Sequence, residues 1–139
     1  MYRTRLLLAA ALVPLAAGLT ISSGAPPASA SALPRLLSCG GARLLRPSGT
    51  VVLSCADGNS ELRSTQWRSW TATSATGTTD FGVNLCTPTC VASRMRLFPG
   101  SSVELLAVRS TAKGALFSRV VVTYKLDGKR RTFTAYPAT

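Results

Sequence analysis

The chain has no histidine, and only five acidic residues, Asp57, Glu61, Asp80, Glu104 and Asp127, stand against sixteen basic ones. The first absence removes the side chain most often used as general base and proton shuttle. The second leaves no pair of carboxylates whose spacing suits acid and base work. A dyad of Ser with Lys113 or Lys125 lacks a nucleophile elbow to present it. Long helical patterning is missing too: apart from the N-terminal segment, no stretch of more than ten residues holds a clean 3.6-residue period. These absences argue against an enzyme, and no cofactor is expected.

What is present begins with residues 1–30, which carry Arg3 and Arg5, an apolar run from Leu6 to Ile21 and the small-residue end Ala28-Ser29-Ala30. That order is the pattern of a secretory signal peptide with cleavage after Ala30. The run contains Pro14 and Gly18 and falls short of the roughly 20 apolar residues that span a bilayer, so no membrane span is expected in the mature chain. Arg3-Thr4-Arg5 is not a twin-arginine pair, which favours the general secretion route. A lipoprotein box is suggested by Leu36-Leu37-Ser38-Cys39, but Pro26, Pro27, Pro34 and Arg35 separate it from the hydrophobic run, and acylating Cys39 would leave an odd number of thiols outside the cell.

The mature chain, residues 31–139, has one domain's worth of residues and little more. The net charge of the full chain, +11, falls by two, to +9, with the loss of Arg3 and Arg5. Such a protein is drawn to anionic surfaces, and outside the cell these are cell-wall polymers, acidic polysaccharides and anionic lipids; no nucleic acid is expected as partner. The plainer role of the charge is to keep the protein soluble.

Four cysteines, Cys39, Cys55, Cys86 and Cys90, supplement the modest core that so short a chain can build. Structural zinc sites pair their ligands in two close knuckles, and here only Cys86 and Cys90 are close. Redox dithiols use C-x-x-C at a helix start, whereas Cys86-Thr87-Pro88-Thr89-Cys90 has one residue too many in a strand-rich setting. Two structural disulfides remain, with three connectivities open. Cys39 and Cys55 lie nearly symmetrically about Pro47-Ser48-Gly49, so a hairpin turning there would oppose them and leave Cys86 to close on Cys90; the crossed pairings stay possible.

Residues 31–38, rich in small residues and Pro, read as a disordered mature N-terminus, and residues 39–139 as the β domain. Short β-branched and aromatic runs broken by Gly, Pro, Asp and Asn give an all-β, small antiparallel β-sandwich-like domain with two disulfides. Strands are expected at Thr50–Ala56, around Trp67, and in Val83–Cys86, Ser93–Phe98, Ser102–Ser110 and Leu116–Leu126, with Ser74–Gly82 as a loop. The expected core is Val51, Leu53, Trp67, Leu105, Val120, Val122 and Phe133. The strongest signal is Asp127-Gly128, the positive-φ pair of a two-residue type I′ turn. It sets Val120 opposite Ala135, Val122 opposite Phe133, Tyr124 opposite Arg131 and Lys125 opposite Arg130.

Two further groups invite binding roles. Asp57, Asn59 and Glu61 alternate as in a calcium loop, but calcium takes six to eight oxygens and the rest of such a loop is missing, so an Asx turn is expected and no metal. Trp67 and Trp70 should point to opposite faces of a regular strand, one into the core and one towards solvent, where it would stack on sugar.

Cys39, Leu53-Ser54-Cys55-Ala56-Asp57-Gly58-Asn59, Trp67-Arg68-Ser69-Trp70, Ala75-Thr76-Gly77 and Asn84 to Ala92 occur in the order and at the spacing of a family of small secreted actinobacterial proteins, which the chain resembles from Cys39 to Ala92 and more loosely in its last hairpin. Family members tend to continue Cys-Ala-x-Gly where this chain has Cys90-Val91-Ala92-Ser93. The resemblance implies secretion and the cysteine framework, and brings no catalytic residues.

The functional expectation is a secreted, non-enzymatic module that uses Lys125, Lys129, Arg130 and Arg131 at the hairpin tip to bind an anionic cell-wall polymer or an extracellular protein. The alternative is a small protease inhibitor presenting Thr87-Pro88-Thr89 between cysteines. The exported protein should begin near Ser31 and hold no free thiol. Intact mass before and after alkylation checks both, and a diacylglycerol on Cys39 or two alkylated thiols would overturn the reading.

Overall fold

The structure, a computed structural model, describes residues 32–137, so the signal-peptide reading of residues 1–30 lies outside the described residues. Strands β1 (Arg35–Leu37), β2 (Arg43–Leu44), β3 (Val51–Val52), β4 (Ser60–Trp70), β5 (Ala75–Asn84), β6 (Met95–Thr111), β7 (Gly114–Leu126) and β8 (Lys129–Ala135) all join one hydrogen-bonded sheet. No helix occurs among the described residues. The chain is all-β with two disulfides.

Strand order is β2-β1-β7-β6-β5-β4-β3, with β8 beside β7. All pairings are antiparallel except β1 with β7, where Leu36 faces Phe117 in parallel register. β1 and β8 share one edge of β7: Arg35 and Leu36 pair with its start, whereas residues 129–135 pair with its second half. The sheet curls until its two ends approach, so that the single sheet packs its inner face against itself. Leu36, Leu62, Phe81, Leu105, Phe117, Val120 and Val122 fill the interior with no side chain more than marginally exposed. Phe81 on β5 reaches across this core to Tyr124 and to Phe133 on β8, each at a centroid distance of 5.2 Å.

Of the expected core, Val51, Leu53, Leu105, Val120 and Val122 are buried, and Trp67 and Phe133 are half-buried against them. The hairpin register follows the sequence expectation pair for pair, from Val120↔Ala135 to Lys125↔Arg130, with Asp127 and Gly128 at φ 52° and 74°.

Four expectations need correction. Residues 31–38 are not a disordered leader throughout: Leu36 is fully buried, Pro34 is among the fully buried side chains, and β1 adds to the sheet. Apolar Leu36 and Leu37 had too few neighbours in sequence to show a strand. Of the expected loop Ser74–Gly82, all but Ser74 belongs to the interior strand β5, whose core-facing positions include Ala75, Gly77 and Thr79, residues too small and polar to read as a strand. The expected strands 93–98 and 102–110 merge from Met95 onwards into one strand, β6, because Pro99-Gly100 makes a bulge instead of a break: Thr79 faces Ser101 but Phe81 faces Phe98, and Gly100 takes φ 67°.

The tryptophans supply the fourth. Trp67 faces Gly77 and Ser69 faces Thr76, so Arg68 is an extra residue in β4, and Trp70 then faces Ala75. Ala75 and Gly77 share a face of β5, so both tryptophans point inward, edge to face with ring centroids 4.8 Å apart. Neither is free to stack on a sugar in the manner of an exposed platform. Trp67 needs the space above Gly77, where a Cβ would sit 2.5 Å from the Gln66 carbonyl oxygen and 3.1 Å from the Trp67 Cα. Gly77→Ala is therefore expected to destabilise by about 1–3 kcal/mol through overpacking against backbone that cannot yield. A denaturant midpoint equal to that of the wild type would show that the β4 bulge is not held closely against β5.

Candidate functional site

Cys39 bonds to Cys55 with Cα atoms 5.1 Å apart, and Cys86 to Cys90 with Cα atoms 3.8 Å apart. This is the preferred pairing, and none of the cysteines is a free thiol. The expected hairpin about Pro47-Ser48-Gly49 does not exist, however. β2 pairs with β1 and β3 with β4, so residues 45–50 cross between opposite ends of the strand order. The Cys39–Cys55 disulfide joins those ends.

The Cys86–Cys90 loop and the Asp57–Asn59 turn, far apart in sequence, form one unit through Asn84. Asn84 Nδ2 donates to the Asn59 Oδ1 at 3.1 Å and to the Cys90 carbonyl at 2.8 Å, while its Oδ1 accepts from the Cys86 N–H at 2.9 Å and from the Ser93 hydroxyl. Asp57 accepts from the Asn59 N–H at 3.1 Å and from Asn59 Nδ2 at 2.8 Å, the Asx turn that the sequence predicts. Glu61 does not converge on it. Its side chain lies over Gly82, with Oε1 2.5 Å from Arg63 Nη2, a charge contact without aligned hydrogen bond. Among the described residues no cluster of three or more His, Cys, Asp or Glu could hold a metal ion, and no helix is long and apolar enough to cross a membrane.

The four basic candidates sit at the end of the β7–β8 hairpin, and strand alternation divides them. Lys125 and Arg130 are directly opposed on the face that carries Thr123 and Thr132, whereas Arg131 faces Tyr124 on the other side and Lys129 flanks the turn opposite Leu126. Lys125, Lys129, Arg130 and Arg131 are all exposed. The nearest carboxylate is Asp127 in the turn itself, and its Oδ1 lies 3.9 Å from Arg96 Nη2, not against the four.

Beside the hairpin the β6–β7 pairing stops. It runs from Thr111↔Gly114 to Ser102↔Thr123 and goes no further, because the Pro99-Gly100 bulge turns β6 away. The gap is a cleft of about 650 Å³ with Arg96 and Ser102 on one wall, Thr123, Lys125 and Arg130 on the other, and the Phe98 and Tyr124 rings, 4.7 Å apart, between them. The Arg96 guanidinium stands 5.4 Å from the Phe98 ring centroid. Arg96 escaped the sequence reading: only the bulge and the strand order bring it to the hairpin, and neither is written in local sequence.

Family models, curated proteins and solved structures yield no match to this chain.

The opposed pair Lys125 and Arg130 carries a testable cost. Like charges in direct register destabilise a hairpin by a fraction of a kcal/mol, so Lys125→Glu is expected to raise the thermal midpoint at low ionic strength, with the gain fading as salt screens the pair. Thermal melts at low and high salt check it; a midpoint that falls at low salt would show that the two side chains do not interact across the hairpin.

Proposed function

We propose that this is an exported, non-enzymatic module that binds an anionic polymer of the cell envelope through the basic end of its last hairpin. The observation that carries the reading is the rigid presentation of Lys125, Lys129, Arg130 and Arg131 by a type I′ turn, with the only acidic residue nearby directed at Arg96. A hairpin whose register is fixed holds the backbone that carries these charges in place before binding, so that only side-chain freedom is lost, and a net positive protein outside the cell concentrates at polyanions. The two disulfides fit an oxidising compartment, and the N-terminal signal-like segment supplies the route there.

The alternative of a protease inhibitor is less well supported. Thr87, Pro88 and Thr89 are exposed, but they are closed into a ring by cysteines whose Cα atoms are 3.8 Å apart, and the chain turns at once, with the Ser93 N–H donating to the Thr89 carbonyl at 3.0 Å. A protease cleft takes an extended segment that offers its backbone for strand-like pairing.

Wild-type protein should be retained on purified cell wall or immobilised heparin at low salt and eluted as ionic strength rises through a few tenths molar, where surface charges are screened. The Lys129→Ser, Arg130→Ser, Arg131→Ser triple variant should elute at distinctly lower salt while keeping its fold by far-ultraviolet circular dichroism. Unchanged elution would remove the hairpin tip as the binding surface, and inhibition of a secreted protease that depends on Thr87 or Thr89 would favour the alternative.

A further inference from the structure

Building on the anion-binding reading, we propose that the cleft between β6 and the β7–β8 hairpin is a discrete site for the phosphodiester groups of a polyol-phosphate or sugar-phosphate chain, with Arg96, Lys125 and Arg130 as its cationic ligands. Asp127 is the internal counter-ion that the phosphate displaces.

Three features of the cleft select this chemistry. First, its cations come from different strands and opposite walls: Arg96 from β6, Lys125 from β7 and Arg130 from β8. A carboxylate accepts mainly in the plane of its two oxygens and is satisfied by a single guanidinium fork, whereas the two non-bridging oxygens of a phosphodiester sit on a tetrahedral centre and accept donors from several directions, and successive phosphodiesters of one chain offer a charge to more than one cation. Second, neutral donors lie among the charges. Ser102 and Thr123, which carry hydroxyls, are among the residues that line the cleft. In a two-residue hairpin the residues flanking the turn bond to each other, so alternation directs the Lys125 peptide group towards β6, where the register has already ended at Ser102↔Thr123. Third, the space of about 650 Å³ exceeds one phosphate and falls within the range of sites that take whole small molecules, which leaves room for the polyol or sugar between phosphates.

Asp127 is the counter-ion that Arg96 has within the chain. Its carboxylate lies 3.9 Å from Arg96, and the two side chains are 81% and 54% exposed, a loose pair whose separation costs little. Lys129 and Arg131 do not line the cleft; they supply a general attractive field, and the cleft supplies the choice of anion.

The test measures binding of a poly(glycerol phosphate) chain and of a polygalacturonate chain of matched charge, by calorimetry at about 0.15 M salt, where long-range attraction is largely screened. The phosphate polymer should bind the wild type about tenfold more tightly than the polyuronate, as expected for an anion that engages several converging charge-assisted donors. Arg96→Ser and Lys125→Ser should each remove most of that preference. Lys113→Ser deletes the same charge from the turn at the other end of β7 and should leave the preference intact. Asp127→Asn keeps an Asn-Gly type I′ turn and should tighten phosphate binding several-fold by freeing Arg96. Wild type that binds neither polymer would overturn the anion-binding reading itself. Equal binding of both polymers, or an Arg96→Ser loss no larger than that of Lys113→Ser, would leave that reading standing and overturn the cleft. Binding to phosphatidylglycerol vesicles without binding to the polymer would assign the phosphate to lipid and overturn the polymer assignment.

Discussion

A strip of β-sheet exposes unpaired backbone along both of its edges and one apolar face, and a chain this short has no second layer with which to cover them. Here the sheet covers itself. β1 and β2 stand at one end of the strand order and β3 at the other, and the Cys39–Cys55 disulfide ties the two ends together. Two indoles reinforce the closure. Trp70 Nε1 donates to the Pro34 carbonyl at 2.9 Å, from the end of β4 across the core to the residue before β1, and Trp67 Nε1 donates to the Pro47 carbonyl at 2.8 Å, on the segment that crosses between the ends. Trp70 also packs edge to face on Phe117, 5.4 Å away on β7, so the same side chain closes the sheet and fills it. Buried indole N–H groups need acceptors, and these two find theirs on the backbone carbonyls of Pro34 and Pro47.

Closure demands curvature, and curvature in an antiparallel sheet comes from bulges. β4 has two, at Ser64–Thr65 and at Arg68, and β6 has one at Pro99-Gly100. The inner-facing polar residues these create are satisfied locally: Thr65 and Thr79 share a hydroxyl hydrogen bond of 3.0 Å in the interior, and Thr79 also donates to the Arg63 carbonyl at 2.9 Å. The bulge in β6 has a further geometric consequence. By bending β6 away from β7 beyond Ser102 it opens the cleft beside the basic hairpin, so the anion site proposed here is a product of the same geometry that closes the sheet.

Local chemistry made the last hairpin legible in the sequence, because Asp127-Gly128 fixes both the turn and the pairing that follows from it. The all-β class and most of the core were legible for a similar reason: alternation and turn residues act over a few positions. The topology was not. The parallel pairing of β1 with β7 joins Leu36 to Phe117 across most of the chain, and three residues of strand carry no period. β5 was hidden because its inward positions are Ala75, Gly77 and Thr79, chosen to make room for the two tryptophans and a hydroxyl pair rather than to supply apolar bulk. Arg68 as an inserted residue reversed the expected face of one tryptophan, since a shift of one residue moves a strand's side chains to the opposite face. The cysteines paired as the sequence suggested although the hairpin used to argue the pairing is absent, so that agreement owes nothing to the stated geometry. At the candidate site, charge and the Asp127-Gly128 turn singled out the four basic residues, while the addition of Arg96 needed the strand order.

The Cys39–Cys55 bond closes the sheet, whereas the Cys86–Cys90 bond shapes only its own loop. Hydrogen exchange read residue by residue on two double variants, Cys39→Ser with Cys55→Ser and Cys86→Ser with Cys90→Ser, tests this most directly. Loss of the first bond should lower protection along β1, β2, β3 and the Trp67–Trp70 end of β4, with a stability cost of about 3 kcal/mol for a loop of this size. Loss of the second should confine the change to residues near Asn84 and the Cys86–Cys90 loop. Equal, uniform losses of protection in the two variants, or preserved protection at both ends of the strand order without Cys39 and Cys55, would contradict the account.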